Sequence, residues 1–177
     1  MASAQTLDLA ERRALAAWAA DCAERVLAIF EAEAPDDQRA RDGIARARAF
    51  ARGELDAAGE IRRRFEAGRA AGSASSRAAK AAARSAGQAS GVAHMGAHAL
   101  GAAAYAAQAV ELATAGTGER EREWQLEHMG DDVRAALRRL PALGTDASGP
   151  LGAGLLASGA LGEHIRALQH AIGSTER

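Results

Sequence analysis

The stretch that decides the fold is Ser85–Val110, SAGQASGVAHMGAHALGAAAYAAQAV, which contains no Asp, Glu, Lys or Arg in a chain that is 25% charged. A helix so poor in charge is expected to be surrounded by other helices. Because Ala and Gly fill little space, neighbouring helices can approach it closely. The sequence therefore predicts an all-α fold, a single-domain bundle of about six to eight helices around a central Ala/Gly-rich helix.

The composition of the whole chain agrees with this prediction. Its 177 residues suit one domain, and 50 of them are alanine while aromatic residues make up only 3%. Strand-forming residues are scarce, and no run alternates apolar and polar residues over a useful length. We predict a helical bundle over residues 1–140, and a Gly-rich segment plus a C-terminal helix over 141–177 that pack on the same domain.

Local signals place the first two helices. Asp8 and Glu11 have the spacing of a capping box, so helix one should begin at Asp8 and end before Pro35. Asp36 or Asp37 is predicted to cap helix two, which should end near residue 53.

The rest of the chain is predicted more coarsely. Helix three should begin near Glu54 and a loop should cover residues 68–76, with further helices at 119–127, 131–140 and 159–172 and irregular chain at 141–159. Gly87 and Gly91 indicate a break, a kink or the close passage of another helix, so residues 76–115 could form one kinked helix or two. The apolar positions expected to face inward from helix three are Leu55, Ala58, Ile61 and Phe65.

A polar stripe on the central segment is the main candidate site. His94, His98, Tyr105 and Gln108 recur at intervals of three, four and seven residues and would lie on one helix face. Structural hydrogen bonding is the simplest role for such histidines, and binding of a ligand or acid–base work is the alternative. A shared metal ion would need a third ligand, and we predict neither metal nor cofactor. Third-ligand candidates would be Glu163, His164, His128 and Asp21.

Helix one carries a second group, Trp18, Asp21, Cys22 and Arg25. Asp21 and Arg25 are spaced to form an ion pair, and the alternative is that Asp21 orients a ligand beside the central helix. Cys22 is the only cysteine, which excludes an internal disulfide, and it is predicted to be a buried apolar residue. Together with the polar stripe, Trp18 and Asp21 complete the set of candidate ligand-binding residues.

The charge distribution favours neither nucleic acid nor membrane as a partner. The net charge is −1, although residues 36–84 carry 12 basic and 7 acidic residues, a local balance of 12 − 7 = +5. The arginines alternate with acids and lack aromatic neighbours for base stacking, so solvated ion pairs are the favoured interpretation. Without a secretory signal or a long apolar run, the protein is predicted to be cytoplasmic.

Three segments together resemble a known family. They are LAAWAADCAERVLAIFEAEAPDDQRARDGIARARAFARGEL from Leu15, ARSAGQASGVAHMGAHALGAAAYAAQAV from Ala83 and EREWQ from Glu121. In this order they resemble the bacterial putative immunity protein family related to the fifth-numbered immunity family of polymorphic toxin systems. The resemblance covers roughly residues 8–140, and its distinctive elements are Trp-x-x-x-Cys-Ala and His-x-x-x-His-Ala.

The resemblance implies a small intracellular all-α protein that binds and neutralises a cognate toxin, and it carries no active-site assignment. No catalytic signature appears in the chain, which favours a protein that is not an enzyme. The alternative is a small-molecule-binding protein or biosynthetic enzyme that uses the His/Tyr/Gln stripe. A homodimer formed through the Ala/Gly faces is a further possibility.

Overall fold

Helices account for nearly all of the regular structure. The computed structural model describes residues 3–174, and this range contains no β-strand, only an isolated bridge between Asp146 and Gly152. The helices are α1 (Leu9–Glu31), α2 (Arg39–Ala51), α3 (Ala57–Arg63), α4 (Glu66–Arg69), α5 (Arg77–Gly91), α6 (His98–Ala113), α7 (Gly118–Glu127), α8 (Asp131–Arg138) and α9 (Gly159–Gly173). Short 3-10 helices lie at Ala70–Ser73 and Leu155–Ala157. The prediction of an all-α, single-domain fold is confirmed, and eight of these α-helices are longer than one turn.

The centre of the bundle is α6, which packs against α1, α5, α7 and α9. Its residues from Ala99 to Ala107 are buried, and most of them are alanine. Small side chains let the surrounding helices approach α6 closely enough for polar side chains to reach its carbonyls. Ser85 Oγ donates to the Ala102 carbonyl at 2.7 Å, and Gln125 Nε2 donates to the Ala103 carbonyl at 3.0 Å.

Of the two possibilities left open for residues 76–115, one kinked helix or two helices, the structure has two, α5 and α6. After Gly91 the backbone turns through residues 92–97 before α6 begins. The N–H groups of Gly96 and Ala97 donate to the carbonyls of Thr6 and Gln5, each at 3.1 Å, instead of to carbonyls four residues earlier. The N-terminal segment thus supplies acceptors for backbone N–H groups that make no helical hydrogen bond at the break.

The capping box predicted at the start of α1 is present. The Glu11 N–H donates to Asp8 Oδ1 at 2.8 Å, and the Asp8 N–H donates to Glu11 Oε2 at 2.9 Å. At α2 the prediction was wrong in detail, because the cap residue is Gln38 and its side chain makes no capping bond. Asp37 still contributes, since its carboxylate accepts from the Arg39 N–H at 3.1 Å.

Helix three differs from its prediction. It begins at Ala57, after the Asp56 side chain accepts from the Gly59 N–H at 2.6 Å. Phe65 was expected to face inward and is 57% exposed, and Ala58 is exposed as well. The residue that α3 buries is Glu60, whose carboxylate pairs with Arg46. The predicted loop at 68–76 is largely helical, because α4 and the first 3-10 helix occupy most of it.

Past α8 the chain is mostly turns and bends until α9, as predicted for residues 141–159. The apolar face of α9 contacts α6, with Leu161, Ile165 and Leu168 buried. No helix within residues 3–174 combines the length and apolar character that crossing a membrane requires.

Candidate functional site

Three residues of the polar stripe, His94, His98 and Tyr105, line a cleft of about 880 Å³, which we call the His98 cleft. Because α5 and α6 are separate helices, the cleft is lined by residues from both of them and from the turn between. Gly87 and Gly91 come from α5, His94 from the turn and His98 from the first residue of α6. The opposite wall belongs to residues 149–156, which approach from beyond α8.

The side chains that line the His98 cleft carry positive charge. Among residues 3–174, no Asp or Glu belongs to its lining. Its basic residues are Arg64, Arg69 and Arg84, its other polar side chains are Gln88, His94, His98 and Tyr105, and its larger apolar ones are Phe65, Met95, Leu155 and Leu156.

His98 is held in one orientation by a hydrogen bond to Gln88. His98 Nδ1 lies 2.9 Å from Gln88 Oε1, so Nδ1 carries the proton and donates to the amide oxygen. Burial is the main cause that lowers the pKa of His98 to about 4, and the nearby His94 and Arg64 lower it further. At neutral pH the ring is therefore uncharged, and Nε2 is a hydrogen-bond acceptor.

The other two stripe residues in the cleft are also uncharged at neutral pH. Burial, followed by repulsion from Arg64 and Arg12, lowers the pKa of His94. Burial raises the pKa of the Tyr105 phenol, and the positive charge of Arg84 partly opposes this. Within residues 3–174, neither the Tyr105 hydroxyl nor the His94 ring has a hydrogen-bond partner. Both polar groups are thus available to a ligand.

Two glycines provide the room for these side chains. A Cβ at Gly91 would lie 3.0 Å from His98 Cγ, and one at Gly101 would lie 2.2 Å from Gln88 Oε1. The His98–Gln88 pair therefore packs directly on glycine backbone. Because glycine has no side chain, the His98 and Gln88 side chains can approach the helix backbone this closely.

Gln108 lies in a second space, the Gln108 groove of about 350 Å³, which adjoins the His98 cleft. Tyr105, Arg84 and Leu155 line both spaces. The groove adds Arg77 and Lys80, and in the described part of the chain no acidic residue lines it either. The stripe predicted from the sequence is therefore divided between two connected basic spaces.

The side chains considered as third metal ligands lie elsewhere. His164 is buried and accepts from Arg122 Nη1 at 2.7 Å, and His128 donates from Nδ1 to the Trp124 carbonyl at 2.9 Å. Among residues 3–174 there is no group of three His, Cys, Asp or Glu side chains placed to hold a metal ion.

Trp18 and Asp21 do not reach the His98 cleft. Trp18 is 2% exposed, and its Nε1 donates to the Gln125 carbonyl at 3.0 Å, which is a core position. Asp21 was expected to pair with Arg25, and this was wrong, because Asp21 pairs with Arg48 at 2.7 Å. Cys22 is fully buried, and burial raises the pKa of its thiol well above the ordinary value, so it is an unreactive apolar residue.

Arg25 instead takes part in a surface group that we call the Trp124 patch. Its lining residues are Asp21, Glu24, Arg25, Trp124 and His128. The Arg25 guanidinium carbon lies 3.9 Å from the centre of the Trp124 ring, and the His128 ring stacks on that tryptophan at 4.1 Å. The Arg25 side chain is fixed by two hydrogen bonds to the buried Glu121, at 2.8 and 3.0 Å.

Several cleft residues could not be found from the sequence alone. Arg84 borders a long alanine run, and Gln88 lies next to Gly87, one of the two glycines that indicated a break. Arg64 and Arg69 lie among arginines that were predicted to form solvated ion pairs. Leu155 and Pro150 lie in the Gly-rich segment. The one sequence signal that could have pointed to these cleft residues is the absence of Asp and Glu between residues 67 and 110.

A comparison with protein families finds one match. A family model described as "Imm-5 like putative immunity protein" matches residues 5–132. No curated protein and no solved structure matches the chain. The matched range holds α1 to α7 and all five residues of the Trp124 patch, whereas the wall of the His98 cleft formed by residues 149–156 lies beyond it.

Proposed function

Because this chain belongs to the Imm-5 like putative immunity protein family, we propose that it binds and neutralises a cognate toxin protein. The family match over residues 5–132 is the observation that carries this proposal. An immunity protein of this kind needs a surface complementary to its toxin and no catalytic group. The proposal places the protein in the cytoplasm beside its toxin. That location and a homodimer stay predictions.

We place the toxin interface at the Trp124 patch, since the whole patch lies within the matched range. Trp and Arg are the residues whose truncation most often weakens a protein–protein complex. Here Arg25, Trp124 and His128 form one continuous stack before any partner arrives. A prearranged stack loses little side-chain freedom on binding, so more of the contact energy appears as affinity.

The charges around the patch indicate the chemistry of the partner surface. Arg48 bridges Asp21 and Glu24, whose side chains are still 44% and 58% exposed. Both carboxylates therefore offer free lone pairs next to the aromatic stack. A toxin surface with an apolar pocket for Trp124 and a basic side chain near Glu24 would be complementary.

The test uses the product of a toxin gene next to the gene for this protein. Calorimetry should detect a complex, and Trp124→Ala should weaken it by about 30-fold or more, the cost of losing a hot-spot tryptophan. Phe65→Ala is the matched control, because Phe65 is an exposed aromatic residue outside the patch. Absence of any complex would overturn the proposed function. Equal affinity of the Trp124 variant would overturn only the interface.

A second candidate function is the binding of a small molecule in the His98 cleft. The observation that favours it is a cleft of about 880 Å³ whose lining includes His94 and Tyr105, two polar side chains without a hydrogen-bond partner among residues 3–174. This size lies within the range typical of small-molecule sites, which is about 300–1,000 Å³. The two candidate functions use different surfaces and do not exclude each other.

A further inference from the structure

We infer that the His98 cleft and the adjoining Gln108 groove bind a small molecule that joins a phosphate or carboxylate group to a flat apolar part. The inference rests on the second candidate function, ligand binding in the cleft, and is independent of toxin binding. Three features support it: the charge of the lining, the unpartnered polar groups and the apolar residues at the mouth.

The charge is the first feature. Arg69 and Arg84 in the cleft, and Arg77 and Lys80 in the groove, form no hydrogen bond or ion pair with any side chain in residues 3–174. Elsewhere arginines pair with carboxylates, as Arg41 does with Glu31 at 2.7 Å. Lys80 has the Glu33 carboxylate near enough to lower the pKa of that group, but among residues 3–174 neither space has an acidic residue in its lining. Cations gathered in a concave space of this kind create a positive potential that attracts anions.

The polar groups at the base of the cleft form the second feature. Gln88 holds the His98 ring with Nε2 as the acceptor, and Tyr105, which lines the cleft, has no hydrogen-bond partner for its hydroxyl among residues 3–174. A polar group that lines a concave site without a protein partner can bind a water or a ligand. A ligand hydroxyl or a protonated phosphate oxygen could donate to His98 Nε2, while the phenol donates to an anionic oxygen.

The apolar residues at the mouth form the third feature. Phe65 is 57% exposed and Leu155 is 69% exposed, and both line the cleft. The Arg64 guanidinium carbon lies 4.3 Å from the centre of the Phe65 ring, so the guanidinium lies over one face of the ring and the two side chains form a stacking surface. Guanidinium and phenyl planes both stack with flat π systems. This surface would hold the apolar part while Arg69 and Arg84 bind the anionic group.

The experiment titrates the purified full chain with phenyl phosphate, with phenol as the uncharged counterpart, and follows backbone amide shifts by NMR. Phenyl phosphate should shift amides of residues 64–69, 84–98 and 149–156, and phenol should bind at least about tenfold more weakly. Raising the salt concentration should weaken phenyl phosphate binding, because exposed charges are screened.

Matched variants test where the anionic group and the apolar part of the ligand bind. Arg84→Gln should weaken phenyl phosphate binding by about tenfold or more, since it removes a charge-assisted contact. Arg120→Gln is the control, because Arg120 is exposed, lacks a side-chain partner within residues 3–174 and lies outside the cleft. Phe65→Ala should weaken phenyl phosphate binding more than inorganic phosphate binding. All three side chains are exposed, so folding should be unaffected.

The outcomes distinguish a failure of this inference from a failure of the second candidate function, ligand binding in the His98 cleft. If neither phenyl phosphate nor phenol shifts cleft amides, ligand binding in the cleft is overturned. If phenol binds as tightly as phenyl phosphate, the anionic chemistry is overturned while ligand binding stands. If a hexaglutamate peptide binds the cleft and phenyl phosphate does not, the inferred small molecule is overturned in favour of an acidic protein segment.

Discussion

At the scale of single residues, burial and nearby positive charge keep the rings of His94 and His98 in the neutral form. His98 loses hydration on burial, and its protonation is further opposed by the positive charge of Arg64 and by His94 once that ring is protonated. Its neutral Nδ1–H satisfies Gln88 Oε1. The same residue should make the stability of the protein depend on pH.

We predict that the free energy of unfolding falls as the pH drops below 6.5. The pKa of His98 is about 4 in the folded chain and returns to its ordinary 6.5 on unfolding, so the unfolded state binds the proton first. The His98 contribution is complete above pH 6.5 and is lost progressively towards pH 4. Between pH values of about 7.5 and about 5 the loss should be about 2 kcal/mol, measured by urea denaturation.

The variant His98→Asn tests whether this residue is the cause. Asparagine keeps a donor close to the position of Nδ1 but does not titrate. In this variant the decrease in the free energy of unfolding between the two pH values should be smaller by most of the roughly 2 kcal/mol that His98 contributes. His170→Asn changes an exposed histidine and should leave the loss intact. His94 and His164 also have lowered pKa values and account for what remains. An unchanged pH dependence in the His98 variant would contradict the prediction.

Local patterns could predict some residue contacts and not others. The Asp8–Glu11 box forms because both partners lie within one turn, where sequence spacing determines distance. Asp21 and Arg25 have suitable spacing too, yet Arg25 pairs with Glu121, which lies 96 positions away. The buried carboxylate of Glu121 would be left uncompensated without Arg25, and this outweighs an exposed local pair. Spacing along a helix carries no information about such a partner.

At the scale of elements, α4 and α5 touch backbone to backbone beside the cleft. A Cβ placed on Gly87 would lie 2.7 Å from Gly68 Cα and 2.9 Å from Gly68 N. Backbone atoms cannot rotate away, so any side chain at position 87 would push α4 outwards. Arg69 follows Gly68 in α4, so this contact places Arg69 close to α5.

We predict that Gly87→Ala destabilises the protein although alanine is the better helix former. Overpacking should cost about 1–3 kcal/mol, whereas the gain in helix propensity is at most about 1 kcal/mol. Gly72→Ala is the matched control, because nothing lies within 4 Å of a Cβ at that position, and its effect should be neutral or slightly stabilising. Thermal unfolding followed by circular dichroism distinguishes the two. Equal stability of both variants would mean that α4 moves aside without cost.

The break between α5 and α6 shows why element boundaries could be predicted only in part. Glycines at positions 87 and 91 indicated a possible break, and no proline marked its place. The chain turns at 92–97 because Thr6 and Gln5 accept the N–H groups of Gly96 and Ala97. These acceptors are some 90 positions away in sequence, so local propensity could not identify them. The cleft exists because of this turn, since it brings His94 and His98 beside Gln88.

At the scale of the whole molecule, the Gln5 side chain joins segments that are distant in sequence. It is fully buried, its Nε2 donates to Asp146 Oδ2 at 2.8 Å and to the Ser148 carbonyl at 2.5 Å, and its Oε1 accepts from the Leu151 N–H at 2.9 Å. Its own carbonyl accepts from Ala97 in the turn. One residue therefore connects the N-terminus, the turn that carries His94 and the segment that forms the far wall of the cleft.

Gln5→Ala should loosen that wall and lower the stability of the whole chain. The change removes three hydrogen bonds and leaves the Leu151 N–H buried without its acceptor, which should cost about 3 kcal/mol. Urea denaturation measures the loss, and hydrogen exchange should show faster exchange of the amides in residues 144–152. Gln38→Ala is the control, because Gln38 is exposed and donates only to the Pro35 carbonyl at 3.2 Å. If the Gln5 variant were as stable as the control, the packing of α9 on the bundle would hold residues 141–174 in place without the Gln5 hydrogen bonds. Faster exchange with weaker phenyl phosphate binding would instead show that the segment beyond the family match completes the cleft.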